Sequence, residues 1–194
     1  MRRARVERKT GETEVVVELE LDGTGRAEVQ TGIGFLDHLL TALSCHAGID
    51  LTLRCAGDLH VDDHHTAEDS AIALGQAIDR ALGERAGITR FGSAFAPLDE
   101  ALARAVIDLS GRPYARVELG LTRDRIGTLS AENVGHVLTS LAMAARMTLH
   151  VDVMLGANDH HRAEAAFKSA ALALREAVAM RGAGAAVPST KGML

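Results

Sequence analysis

The chain has 194 residues, 47% of them hydrophobic and 24% charged, with a net charge of −5. That suits one domain built of two halves of about 95 residues, excludes a disordered chain, and speaks against a general nucleic-acid binder. No apolar run reaches the roughly 18 residues of a membrane span, the basic start (Arg2, Arg3, Arg5) has no apolar signal core behind it, and two cysteines (Cys45, Cys55) make no disulfide framework, so a cytoplasmic protein without membrane or nucleic-acid partners is expected.

Residues 13–21 alternate and are rich in Val and Leu, which predicts a half-buried strand. Asp22-Gly23-Thr24-Gly25 predicts a turn into a second strand from Arg26 to Gln30, hence a hairpin. Helical spacing follows from Gly32 to His46, a strand from Ile49 to Cys55, and a long helix from His64 to Leu82. Gly83 to Gly92 is expected to be a connection. The order then recurs: strands over 101–109 and 113–121, a helix over 130–146, a strand over 147–155 and an Ala-rich helix over 160–181. Both halves read β-β-α-β-α, an α/β fold of two pseudo-repeats, about 1–95 and 96–194.

The repeat is visible in the residues themselves. Asp63-His64-His65-Thr66-Ala67-Glu68 matches Asp159-His160-His161-Arg162-Ala163-Glu164, 96 positions later. His38-Leu39-Leu40-Thr41 matches His136-Val137-Leu138-Thr139, 98 positions later. On a helix, i and i+4 share a face, so His64 with Glu68, and His160 with Glu164, can each chelate one ion. His65 and His161 sit about 100° around and must serve something else. Two equivalent centres are therefore expected, one from His64, Glu68, His136 and His161, the other from His160, Glu164, His38 and His65. Three imidazoles and a carboxylate suit Mn²⁺, Fe²⁺ or Zn²⁺, and the ligands could come from neighbouring subunits. His150 and His60 are read as structural and surface residues.

Cations in turns (Arg90, Arg112) and the segment Ser189-Thr190-Lys191 suit a phosphate. Lys168 lies one turn beyond Glu164 on the same face. A two-metal phosphoester hydrolase and a non-catalytic metal-binding protein are the rival readings. The first would need a bridging carboxylate, and the second leaves the turn cations idle.

Gly34-Phe35-Leu36-Asp37-His38, Asp62-Asp63-His64-His65-Thr66-Ala67-Glu68-Asp69, Gly87-Ile88-Thr89-Arg90-Phe91-Gly92, Asp108-Leu109-Ser110-Gly111-Arg112-Pro113 and Asn158 through Lys168 together resemble the imidazoleglycerol-phosphate dehydratases of histidine biosynthesis, in the form without a phosphatase extension. Ala47, Gly135 and the residues after His136 depart from the family pattern beside ligands without replacing any.

The resemblance implies a hydro-lyase that converts imidazole glycerol phosphate to imidazole acetol phosphate, with two Mn²⁺ ions on the ring nitrogens so that ring electrons expel the hydroxyl. It implies Glu12 as acid or base, with Asp99 and Glu100 as weaker candidates, and Lys168 at the substrate. Arg90, Arg112, Ser189, Thr190 and Lys191 are then implied at the phosphate and His46 in the pocket. It further implies two four-stranded sheets around the helices, and a large homo-oligomer, an octahedral 24-mer.

Overall fold

Alternating burial builds most of the chain: along 13–20, Val15, Val17 and Leu19 are buried while Glu14 and Glu18 face water. The protein, described by a computed structural model over residues 1–182 and Ser189, has fourteen regular elements among those residues. The first half forms β1 (Arg3–Lys9), β2 (Thr13–Glu20), β3 (Ala27–Gln30), α1 (Gly34–Ala47), β4 (Asp50–Gly57) and α2 (His64–Leu82). The second forms β5 (Phe91–Leu98), β6 (Ala101–Asp108), β7 (Tyr114–Glu118), β8 (Arg125–Ile126), β9 (Leu129–Ser130), α3 (Ala131–Ala144), β10 (Thr148–Leu155) and α4 (Asp159–Val178).

Two four-stranded sheets result, ordered β1-β2-β4-β3 and β5-β6-β10-β7. Their registers coincide. The row Val6–Val17–Leu53–Val29 of the first sheet becomes Ala94–Ala105–Val151–Val117 in the second. The hairpin expected between 13–21 and 26–30 does not form, because β4 lies between them, antiparallel to β2 and parallel to β3. Asp50, at the start of β4, explains the crossing. Its Oδ1 accepts Thr24 N at 2.7 Å and Arg26 N at 3.0 Å, carrying the turn over the end of β4. Those backbone donors hold the Asp50 carboxyl below the usual carboxylate range.

Strands β1 and β5 escape the sequence reading for different reasons. Only Val6 of β1 is fully buried, and the strand's charges sit on an exposed edge, so apolar alternation is faint. In β5 the inward positions are Gly92, Ala94 and Ala96, and Pro97 is tolerated because the strand is an edge.

The helices fill the space that the sheets enclose. α2 packs on β1, β2 and β4 and against α3; α4 packs on β5, β6 and β10 and against α1. Alanines such as Ala67, Ala71, Ala166 and Ala173 are fully buried there, which lets backbones approach closely. Gly75 marks a tight crossing of α2 and α3: a Cβ would meet Leu141 O at 2.6 Å and Ala145 N at 2.9 Å. Gly75→Ala should therefore destabilise the protein by about 1–3 kcal/mol, because the clash with backbone outweighs the roughly 1 kcal/mol of helix propensity gained. A thermal melt that rises would show that the α2–α3 crossing yields easily.

The repeat offset changes within the second half. It is 88 through the first three strands (Thr13 to Ala101) and 98 at β4 and β10 (Asp50 to Thr148). The extra residues form β8 and β9 with the loop before them. This insertion is tied at both ends to the starts of the long helices. Asp159, at the start of α4, accepts Thr122 N at 2.8 Å and Arg123 N at 2.7 Å. Asp63, which precedes α2, accepts Ser130 N at 2.6 Å and Ser130 Oγ at 2.8 Å.

Candidate metal centres and phosphate residues

Two groups of convergent ligand atoms stand at the helix junctions. Where α2 meets α3, His64, Glu68 and His136 place a donor atom each within 4.8 Å of one another. Where α4 meets α1, His160, Glu164 and His38 do the same. The i, i+4 spacing and the repeat thus assemble three of the four expected ligands twice over.

Glu68 Oε1 lies 3.0 Å from His136 Nε2. Glu164 Oε2 lies 3.1 Å from His38 Nε2 and 3.2 Å from His160 Nε2. An imidazole lone pair aimed at a carboxylate oxygen is repulsive, so a proton or a cation must lie between them. Neutral imidazoles with one carboxylate form a donor set that fits a divalent first-row metal. Each group has its own glutamate, and neither is bridged to the other by a carboxylate among the described residues.

The two groups are supported differently. His64 Nδ1 donates to Asn133 Oδ1 at 3.1 Å, which turns Nε2 toward the group. The repeat counterpart of Asn133 is Phe35, whose ring packs on His160 with centroids 4.9 Å apart. Lys168 Nζ donates to Glu164 Oε1 at 2.7 Å, as its position on the His160 face predicts. Burial pushes the Glu164 carboxyl up, but Lys168 and His38 outweigh it and hold it down at about 2.

His65 and His161 stand outside these groups within one chain. His65 Nδ1 is 3.0 Å from Asp58 Oδ2, and its Nε2 is 3.5 Å from Glu12. His161 Nδ1 is 2.7 Å from Glu100 Oε2, with Asp99 at 3.9 Å from Nε2. The hydrogen bonds that Asp58 and Glu100 accept raise the two imidazole pKa values above the usual histidine value. Burial pushes Asp63 and Asp159 up, yet backbone donors from the insertion win and lower both.

Glu12 sits in the β1–β2 turn. That turn is fastened from below by the buried Asp69 of α2, which accepts Arg8 Nη2 at 2.8 Å and Thr13 Oγ1 at 2.5 Å. Asp58, Asn133 and Asp69 were missed in the sequence. They have no repeat partner of their own kind, and repetition was the signal that found the rest.

Of the phosphate candidates, Arg90 and Arg112 stand elsewhere, beside Asp108. Arg90, in the left-handed region (φ 75°), donates to Asp108 at 2.7 and 3.1 Å and lies over the Phe91 ring. Arg112 is exposed, 3.9 Å from Asp108. Ser189 is half-buried, and Thr190 and Lys191 lie outside the described residues. Arg90 N bonds Ala177 O in the last turn of α4, whereas His160 lies in its first turn. At 1.5 Å per residue, that separates Arg90 from the His160 group by about 25 Å. His46, in the last turn of α1, joins neither group.

The family model for imidazoleglycerol-phosphate dehydratase matches residues 31–174. A protein of that name from Saccharomyces cerevisiae is 61% identical over 166 residues, covering 86% of this chain and 75% of its own. One from Phaffia rhodozyma is 55% identical and covers 100% of this chain and 97% of its own. Another, from Phytophthora nicotianae, is 57% identical, and this chain spans 43% of its length. Among solved structures, the imidazoleglycerol-phosphate dehydratase of Staphylococcus aureus superposes with a TM-score of 0.82 at 34% identity, covering 91% of this chain and 98% of the other. That of Pyrococcus furiosus, in complex with (S)-C348, gives 0.82 at 37% identity, covering 97% and 100%. The repeated architecture, the paired histidine groups and these matches lead to one conclusion: the chain belongs to the imidazoleglycerol-phosphate dehydratase family and is a dehydratase enzyme.

Proposed function

We propose that this chain dehydrates imidazole glycerol phosphate to imidazole acetol phosphate in histidine biosynthesis, in the cytoplasm, using two divalent ions held by its histidine–glutamate groups. The observation that carries the reading is the pair of matching groups, His64-Glu68-His136 and His160-Glu164-His38, set by one internal duplication. His161 and His65 complete them from neighbouring copies, since in their own chain they point away. Mn²⁺ is the ion proposed. Bound there, the two ions supply Lewis-acid stabilisation to a heterocycle with two ring nitrogens.

The chain's own residues do the rest. Arg90 and Arg112 offer guanidinium forks to the phosphate, joined by Ser189, Thr190 and Lys191. Glu12, exposed beside His65, exchanges the proton that must move when a hydroxyl and a neighbouring C–H proton are lost. Lys168 places a fixed positive charge against Glu164 and faces the substrate, and His46 lines the pocket.

An extended three-carbon phosphate with a five-membered ring spans roughly 10 Å at ordinary bond lengths. It cannot bridge about 25 Å along α4, so clusters and phosphate residues of different copies must share one site. We therefore propose a closed homo-oligomer, an octahedral 24-mer.

Calorimetric titration with Mn²⁺ should give close to two ions per chain. Addition of imidazole glycerol phosphate to the loaded protein should then yield the ketone, and chelation should abolish turnover and break the assembly into smaller species. Far fewer than one ion per chain, or full turnover after exhaustive chelation, would remove the metal from the reading.

A further inference from the structure

The odd histidines of the two repeats share a feature that the repeat itself does not supply. Each has its Nδ1 against a carboxylate, yet the carboxylates come from unrelated positions. Asp58, which reaches His65 at 3.0 Å, follows β4, and the residue in its place after β10 is Gly156. Glu100, which reaches His161 at 2.7 Å, lies in the β5–β6 turn, and the residue in its place in the β1–β2 turn is Glu12. The same contact has thus been built twice from different parts of the unit. Glu100 is itself fixed, since its Oε1 accepts Ala157 N at 3.1 Å and Asn158 N at 2.8 Å. Glu12 makes no such side-chain bond and stands 3.5 Å from His65 Nε2 with its side chain 53% exposed.

From this we infer that Asp58 and Glu100 are positioning residues. Each accepts the Nδ1–H of its histidine, fixes that tautomer and leaves the Nε2 lone pair of His65 or His161 free to bind an ion. Because Asp58 has taken this task in the first half, Glu12 is released from the role that its counterpart Glu100 performs, and is free for proton transfer. The inference rests on the proposed role of His65 and His161 as ligands, and it adds which residues orient them and why only one of two equivalent glutamates is available to the reaction.

Two measurements test it. In metal-free protein at alkaline pH, with ¹⁵N-labelled histidine, His65 and His161 should show a protonated Nδ1 and a bare Nε2. Asp58→Ala should move His65 alone, and Glu100→Ala His161 alone, toward the Nε2–H form. Mn²⁺ titration of the same variants should show one class of site weakened about 10- to 100-fold and the other unchanged. Asp58→Asn and Glu100→Gln, which keep the shape, should fall between. Nε2–H tautomers in the unmodified protein would overturn the inference while leaving the metal reading intact. So would variants that keep both tautomer and Mn²⁺ affinity. Correct tautomers in an unmodified protein that binds no Mn²⁺ would overturn both.

Discussion

Glu12→Gln should lower kcat by about 10²–10⁴-fold while metal content and substrate affinity stay nearly unchanged. The reasoning is geometric. Glu12 is delivered by a turn whose shape is fixed without its side chain: Thr10 Oγ1 accepts Glu12 N at 3.1 Å, Asp58 N donates to Glu12 O at 3.1 Å, and Asp69 anchors both flanks. Replacing the carboxylate by an amide leaves all of these bonds in place. An exposed side chain with no buried partner should change stability by no more than about 0.5 kcal/mol. What the amide cannot do is exchange a proton. Steady-state kinetics with metal analysis on the same preparation provide the check; near-normal turnover would place the proton-transfer group elsewhere.

The second large effect concerns two variants that are inactive apart and active together. Arg90→Ala and His160→Ala should each lower kcat/KM by about 10²-fold or more. If one site takes its phosphate residues and its histidine group from different copies, dissociating the two proteins with chelator, mixing them and restoring Mn²⁺ should regenerate intact sites in the mixed assembly. Losing the Arg90–Asp108 pair could weaken the fold, so Arg112→Ala, at an exposed position, serves as a second partner in the mixture. Activity no greater than the sum of the separate preparations would mean that each chain holds a whole site and that the 25 Å separation along α4 is bridged in some other way.

The histidines were legible because chemistry and periodicity coincide in them. Two copies of His-His-x-x-Glu on helices leave few other uses, and the folded chain brings three of the four expected residues of each set together. The fourth of each set, His161 and His65, stands apart from its group within one chain. Helices α2 and α4 announce themselves through long apolar stripes. Strands β1 and β5 do not, one being masked by edge charge and the other by small residues and a proline. The mistaken hairpin has a similar origin. A Gly-containing turn between two alternating segments predicts that they are neighbours, and only the side chain of Asp50, reaching back from a later strand, redirects the chain across β4. The supporting residues Asp58, Asn133 and Asp69 carry no local pattern, since their role exists only once distant elements have met.

The strut between Asp159 and Asp63 bears on whether the two halves are interchangeable. A pair of separate, identical half-length polypeptides would carry such a tether in both members or in neither. Found once among the described residues, it makes the two halves unlike each other. Cut between α2 and β5, the halves should recombine only as unlike partners, front with back.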